Sequence, residues 1–145
     1  MPRLTERQYR DLLAFRVALR RFNRWSEDQA GAAGLTHAQH QLLLAVRAHD
    51  DQRGPTVGQV AEYLLLRHHS AVELIDRAVT GGLVERRRDD EDARVVRLGL
   101  TPLGMQRVTE LTALHLEELR RLAPLLDHLT EGLGGLTGGT GHATR

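Results

Sequence analysis

Apolar positions first recur at helical spacing. Between Leu4 and about Ala30, Leu12, Phe15, Leu19 and Phe22 succeed one another at intervals of 3, 4 and 3, forming one stripe of an amphipathic helix. Arg16, Arg20, Arg21 and Arg24 lie between them. A helix this long cannot bury such a stripe on its own small domain, so a partner surface is implied. Gly31-Ala32-Ala33-Gly34 interrupts the pattern. Thr36 then predicts an N-cap, with Gln39 completing a capping box, for a helix running to about His49 whose apolar face is Ala38, Leu42, Leu43 and Val46.

Asp50 to Pro55 reads as a turn. Thr56 caps a short third helix carrying Val57, Val60, Ala61 and Leu64. A fourth helix is expected from about His68 to Thr80, with Ala71, Leu74, Ile75 and Ala78 facing inward and Gly81-Gly82 closing it. The period then changes. Leu83 to Arg87 and Arg94 to Leu100 read as two short strands around a polar tip, Asp89-Asp90-Glu91-Asp92. Thr101-Pro102 opens a long fifth helix through Val108, Leu111, Leu116, Leu119 and Leu122. A kink or break is expected at Pro124, and after it a short last helix with Leu125, Leu126 and Leu129. From Gly132 the glycine-rich sequence predicts a flexible tail.

This order predicts a mainly α fold with a small β-hairpin wing, a winged helix-turn-helix. It divides into a domain at 1–131 and a tail at 132–145. A length of 145 residues suits one domain, and an aromatic content of 3% leaves the core to Leu, Val and Ala, which favours helices over a sandwich. The absence of Cys excludes disulfides and thiolate metal sites. The first residues lack the apolar stretch of a signal peptide, and no apolar run is long enough to span a bilayer, so the expected location is the cytoplasm, with no membrane partner. A net charge of +1 does not by itself indicate nucleic acid, but all 20 basic residues are Arg, whose planar forks suit phosphates and base edges.

The candidate chemistry lies in the fourth helix and the hairpin. An α-helix fits the major groove, and a hairpin beside it can reach the backbone or minor groove. His68, His69, Ser70 and Glu73 are candidates for base edges, and Arg77, Arg86, Arg87 and Arg88 for phosphates. The four acids of the tip would oppose phosphate if all pointed outward, so Asp92 is expected to pair with an Arg and leave another guanidinium free for the minor groove. Ordinary solvated helix residues and a solvated turn are the plainer alternatives.

These elements resemble the MarR (multiple antibiotic resistance regulator) family. The resemblance covers roughly Leu35 to Leu119. It rests on Leu35-Thr36-His37-Ala38-Gln39, on Val60-Ala61 with Ser70-Ala71-Val72 and Leu74-Ile75-Asp76-Arg77, and on Gly82-Leu83-Val84-Glu85-Arg86. The wing adds Asp89-x-x-Asp92-x-Arg94, and beyond it stands Leu98-x-Leu100-Thr101-x-x-Gly104. The resemblance implies a transcriptional regulator that binds double-stranded DNA as a homodimer. Dimerisation would use 1–34 and 102–131, and DNA binding 35–101. Asp92 and Arg94 would form a wing pair, with Arg94 in the minor groove. It also implies a small-molecule effector pocket, for which Arg16, Trp25 and His115 are candidates, with interface packing the plainer role for Trp25. Glu73 stands where many members carry a basic or small polar residue, and Ala93 replaces a frequent wing arginine.

Three other classes of function compete with this one. No phosphate loop or nucleophile motif supports an enzyme, and His69 and Ser70, adjacent on a helix, point about 100° apart. No cofactor is expected. A zinc-responsive regulator would use the i, i+3 pairs His37 with His40 and His115 with Glu118. A winged helix serving as a protein-interaction module is compatible with the low net charge.

Overall fold

The computed structural model describes residues 1–131. The predicted tail at 132–145 lies outside the described residues. Seven elements run in order: α1 (Glu6–Ala32), α2 (His37–Ala48), α3 (Val57–Leu64), α4 (His68–Thr80), β1 (Val84–Arg88), β2 (Val96–Leu100) and α5 (Pro102–Glu131). The fold is mainly α with a two-stranded antiparallel hairpin. The chain forms two compact units, one of Met1–Ser26 with the segment from Leu114 onward, the other of Glu27–Ala113.

The second unit is built around the helix-turn-helix. Thr36 and Thr56 each accept a hydrogen bond from the amide three residues on, and Gln39 and Gln59 in turn accept one from the cap amide, so both helix starts are fully boxed. Two tight turns direct the chain into and out of α4. Leu65 ends α3 in the left-handed region (φ 53°), and α4 begins three residues later. At the other end of α4 the Leu83 amide donates back to the Ala78 carbonyl at 2.9 Å around Gly82, a left-handed glycine cap (φ 70°) that turns the chain into the hairpin. The core is made of Leu42, Leu43, Val60, Ile75 and Leu98, each fully buried, together with Leu74, Val84, Val108 and Leu111.

Hairpin register pairs Val84 with Leu100, Arg86 with Leu98 and Arg88 with Val96. β1 is shifted by one residue from the predicted Leu83 to Arg87, and β2 begins at Val96 rather than at the predicted Arg94. The Leu83 amide is committed to the α4 cap and the Val95 amide to the Asp92 carbonyl at 2.9 Å, so each of these residues keeps only its carbonyl for the opposite strand. Thr101 binds the hairpin to α5: its hydroxyl donates to the Gly82 carbonyl at 2.5 Å and accepts from the Gly104 amide at 3.0 Å. A Cβ on Gly104 would lie 2.0 Å from the Leu83 carbonyl oxygen, which gives the Leu-Thr-x-x-Gly spacing a physical reason.

Two expectations are corrected. Ala38 is exposed and His40 takes an inward place, 2% exposed. The inward sector centres between Leu43 and Val46, leaving Ala38 at its margin in the first turn. The second correction is at Pro124. α5 runs unbroken to Glu131, with no separate short last helix. Pro124 and Arg120 are both exposed, so the carbonyl that loses its amide partner can be hydrated instead.

In the first unit, Leu12, Phe15 and Leu19 are 59%, 42% and 46% exposed, and only Phe22 of the predicted stripe is half-buried. Among the described residues no helix is long and apolar enough to cross a membrane.

Close packing at one glycine and open space at another give a paired test. Gly54 (φ 89°) would place a Cβ 2.0 Å from the Leu98 carbonyl oxygen, whereas Gly31, in α1, has nothing within 4 Å. Gly54→Ala should lose about 1–3 kcal/mol of unfolding free energy. Gly31→Ala should gain about 0.4–1 kcal/mol. Urea denaturation checks both signs.

Candidate nucleic-acid interface

The inward stripe of α4 fixes which side chains are left for another molecule. Ala71 and Ile75 are fully buried, and Leu74 and Ala78 accompany them, so the helix cannot rotate without exposing that face. His68, His69, Glu73 and Arg77 are exposed, and Ser70 is half-buried. They form the outer side of a short rod. Asp76, also exposed, binds the Arg86 guanidinium of β1 and ties the rod to the hairpin.

The basic residues of β1 have different surroundings. Arg86 is held by Asp76, and Arg87 by Glu85, at 2.9 and 2.5 Å. Arg88 is exposed and forms no ion pair among the described residues. Arg87 stands opposite Arg97 in the ladder, a like-charge pair that costs stability unless each finds an acid. Both do, Glu85 for Arg87 and Asp89 for Arg97.

At the tip, Asp92 accepts from the Arg94 amide at 3.0 Å and from its Nε and Nη2 at 3.1 and 3.2 Å. The Arg94 side chain is nonetheless 90% exposed. These hydrogen bonds, the side-chain ones first, hold the Asp92 carboxyl below the usual carboxylate range. The guanidinium is thus tethered in direction while most of its surface remains in water. The pair makes the tip a small, shaped, cation-bearing projection.

Sequence reasoning missed the base of the wing. Asp89 turns inward, only 7% exposed, and takes Nε of Arg97 at 3.1 Å, while Arg97 Nη1 donates to the Gly54 carbonyl at 3.1 Å. Arg53, fixed by Asp51 at 2.8 Å, also approaches Asp89 at 3.5 Å and Glu91 at 3.7 Å. The signal available was the opposed arginines of the two strands, which demand nearby acids.

The effector candidates all lie in the first unit. Trp25 and His115 are in contact, with ring centroids 4.8 Å apart, and His115 Nε2 lies 2.7 Å from Ser26 Oγ. Trp25 also lines a groove of about 720 Å3 with Leu13, Val17, Arg21, Arg121 and Leu125. Arg16 is exposed and does not line that groove. Glu118, the possible zinc ligand next to His115, is engaged by Arg121 at 2.5 Å, a contact that lowers its carboxyl pKa. No cluster of three or more metal-ligating side chains occurs among the described residues.

Known proteins share this fold. Residues 33–95 match the sequence model of the MarR family. A Bacillus subtilis protein named as an uncharacterized HTH-type transcriptional regulator, YsmB, is 37% identical over 65 residues, 45% of this chain and 44% of its own length. The chain thus spans under half the length of that curated relative. Staphylococcus aureus MepR, described as a transcription regulator of the multidrug efflux pump MepA, superposes with a TM-score of 0.73 at 22% identity, covering 85% of this chain and 96% of MepR. A mutant of MepR bound to an oligodeoxyribonucleotide gives 0.67 at 21% identity, over 85% of this chain and 95% of that one. At such identities the likeness shows the fold, a winged helix.

The Asp92–Arg94 contact carries its own test. Because the folded carboxyl titrates below its ordinary value, what the pair contributes to the wing is present above about pH 4 and is shed as the pH falls through the depressed value. Arg94→Ala should raise the Asp92 carboxyl midpoint toward its ordinary value of about 4, the backbone amide of residue 94 retaining part of the lowering, as read by carboxyl carbon NMR. An unmoved midpoint would place the cause elsewhere.

Proposed function

From the MarR-family domain that this chain carries over residues 33–95, we propose that it is a sequence-specific DNA-binding regulator of transcription, acting in the cytoplasm as a homodimer on a pseudo-palindromic duplex site. One observation carries the reading: a helix locked by its inner face presents His68, His69, Ser70 and Glu73 outward, next to a wing whose Arg94 is tethered by Asp92 yet 90% exposed. The helix enters a major groove and reads base edges. Arg77, Arg86, Arg87 and Arg88 face phosphates, and Arg94 enters the neighbouring minor groove.

The exposed α1 stripe supports the dimer. Leu12, Phe15 and Leu19, with Leu116 and Leu119 of α5, leave large apolar side chains in water, a surface that a second copy would cover. Segments 1–34 and 102–131 bury it against a second copy, and 35–101 binds DNA. Two-fold symmetry then sets two α4 helices about 34 Å apart, one helical turn of DNA. A bound dimer occludes the promoter, so the expected output is repression. An effector near Trp25 and His115 releases the DNA by favouring a different spacing of the two helices.

Selection of bound duplexes from a random pool tests the reading. The expected product is a site with two inverted half-sites; no enrichment over the input pool would reject it and favour a protein-interaction module. Glu73→Ala should relax preference at one position per half-site, a discrimination change of about 1–3 kcal/mol. An unchanged motif would remove Glu73 from base reading. Arg94→Ala should weaken all duplexes alike and lower the slope of log affinity against log salt by about one.

A further inference from the structure

The pair Asp89–Arg97 differs from the other ion pairs of the described residues in having both side chains largely out of water, 7% and 14% exposed. Its neighbours converge on the segment before α3. Arg97 Nη1 donates to the Gly54 carbonyl at 3.1 Å, the Leu98 amide donates to the Pro55 carbonyl at 2.9 Å, and Thr56 bridges to Arg97 as an antiparallel partner. Gly54 approaches β2 too closely for any side chain. Arg53, itself held by Asp51, completes the group by facing both Asp89 and Glu91. Asp89 is also the first residue of the wing loop, and its amide closes that loop on the Val95 carbonyl at 2.9 Å.

We infer that Asp89, Arg97 and Arg53 are positioning residues that clamp the root of the wing to the segment before α3 and so set where Arg94 reaches, without touching DNA themselves. The inference rests on the DNA-binding reading above. Arg97 commits Nε to Asp89 and Nη1 to a backbone carbonyl, and its side chain is only 14% exposed. Offering a fork to phosphate would break a largely buried pair and leave Asp89 uncompensated, a larger loss than a solvated contact returns. Asp89 in turn faces two guanidinium groups and presents little of its surface outward, so it serves as an internal counter-charge rather than a source of repulsion. Glu91, exposed at the tip, is partly offset by Arg53 at 3.7 Å.

Duplex binding by the full chain separates positioning from contact. The probe is a duplex selected by the wild-type protein, titrated with Arg94→Ala, Arg97→Met, the double variant and Asp89→Asn. Positioning predicts that Arg97→Met weakens binding, that the double variant binds no more weakly than the weaker single one, and that Asp89→Asn weakens binding although it removes a negative charge. Additive losses would make Arg97 a direct phosphate contact, and tighter binding by Asp89→Asn would make Asp89 a simple repulsive charge. Either result overturns the inference. Hydrogen exchange of the free protein is the companion measurement. The Asp89 amide should exchange roughly tenfold faster in Arg97→Met, with the Ile75 amide unchanged. Equal exchange in wild type and this variant would also overturn it. A wild-type protein that binds no duplex would instead reject the DNA reading, while exchange at Asp89 would still report on the clamp.

Discussion

The burial of one stripe of α4 is the constraint on which the other features depend. Leu74, Ile75 and Ala78 belong to a core to which α2, α3, β1, β2 and α5 all contribute, and Ala71 is buried as well. Full burial of Ile75 alone is worth about 1.5–3 kcal/mol, enough to oppose rotation of so short a helix about its axis. With one face fixed, the other has no freedom in what it presents. The same stripe positions the helix ends. Leu65 closes the turn in front, and the Leu83 amide, bonded back to Ala78, closes the turn behind.

Charge organises the wing as burial organises the helix. Five arginines and five acids lie between Glu85 and Arg97, an arrangement that composition alone makes ambiguous. The structure resolves it by depth. Asp89 is withdrawn and shared between Arg97 and Arg53, Glu85 holds Arg87, and Asp92 bends back onto Arg94. The acids thus hold the arginines in direction, while Arg88 and the Arg94 guanidinium remain in water. A small net charge is therefore compatible with a locally cationic projection.

Much of the fold was legible because each element carries a local signal that agrees with its packing. Thr36 with Gln39, the 3-1-3 spacing from Ala71 to Ala78, and Gly81-Gly82 before a switch to short strands each specify a boundary through hydrogen bonds made within a few residues. Less legible were features decided by context. Pro124 passes within α5 because its side of the helix is wet, and His40 rather than Ala38 turns inward because of where the core begins. In the wing the sequence pointed to Asp92 with an arginine, but it assigned Asp89 and Arg97 no distinct part. Their pairing depends on the segment around Gly54, more than thirty residues away in the chain, and no local pattern encodes that contact. The likeness to known proteins reaches the lobe at 33–95 by sequence, and beyond it by fold alone.

Hydroxyl-radical footprinting on a selected duplex is the decisive experiment, since it reads the protection of the backbone sugars along both strands. A dimer reading successive major grooves should leave two protected patches on one face of the duplex, centred about one turn apart, each flanked by minor-groove protection that Arg94→Ala removes. A single patch, or a uniform pattern with no groove periodicity, would contradict it.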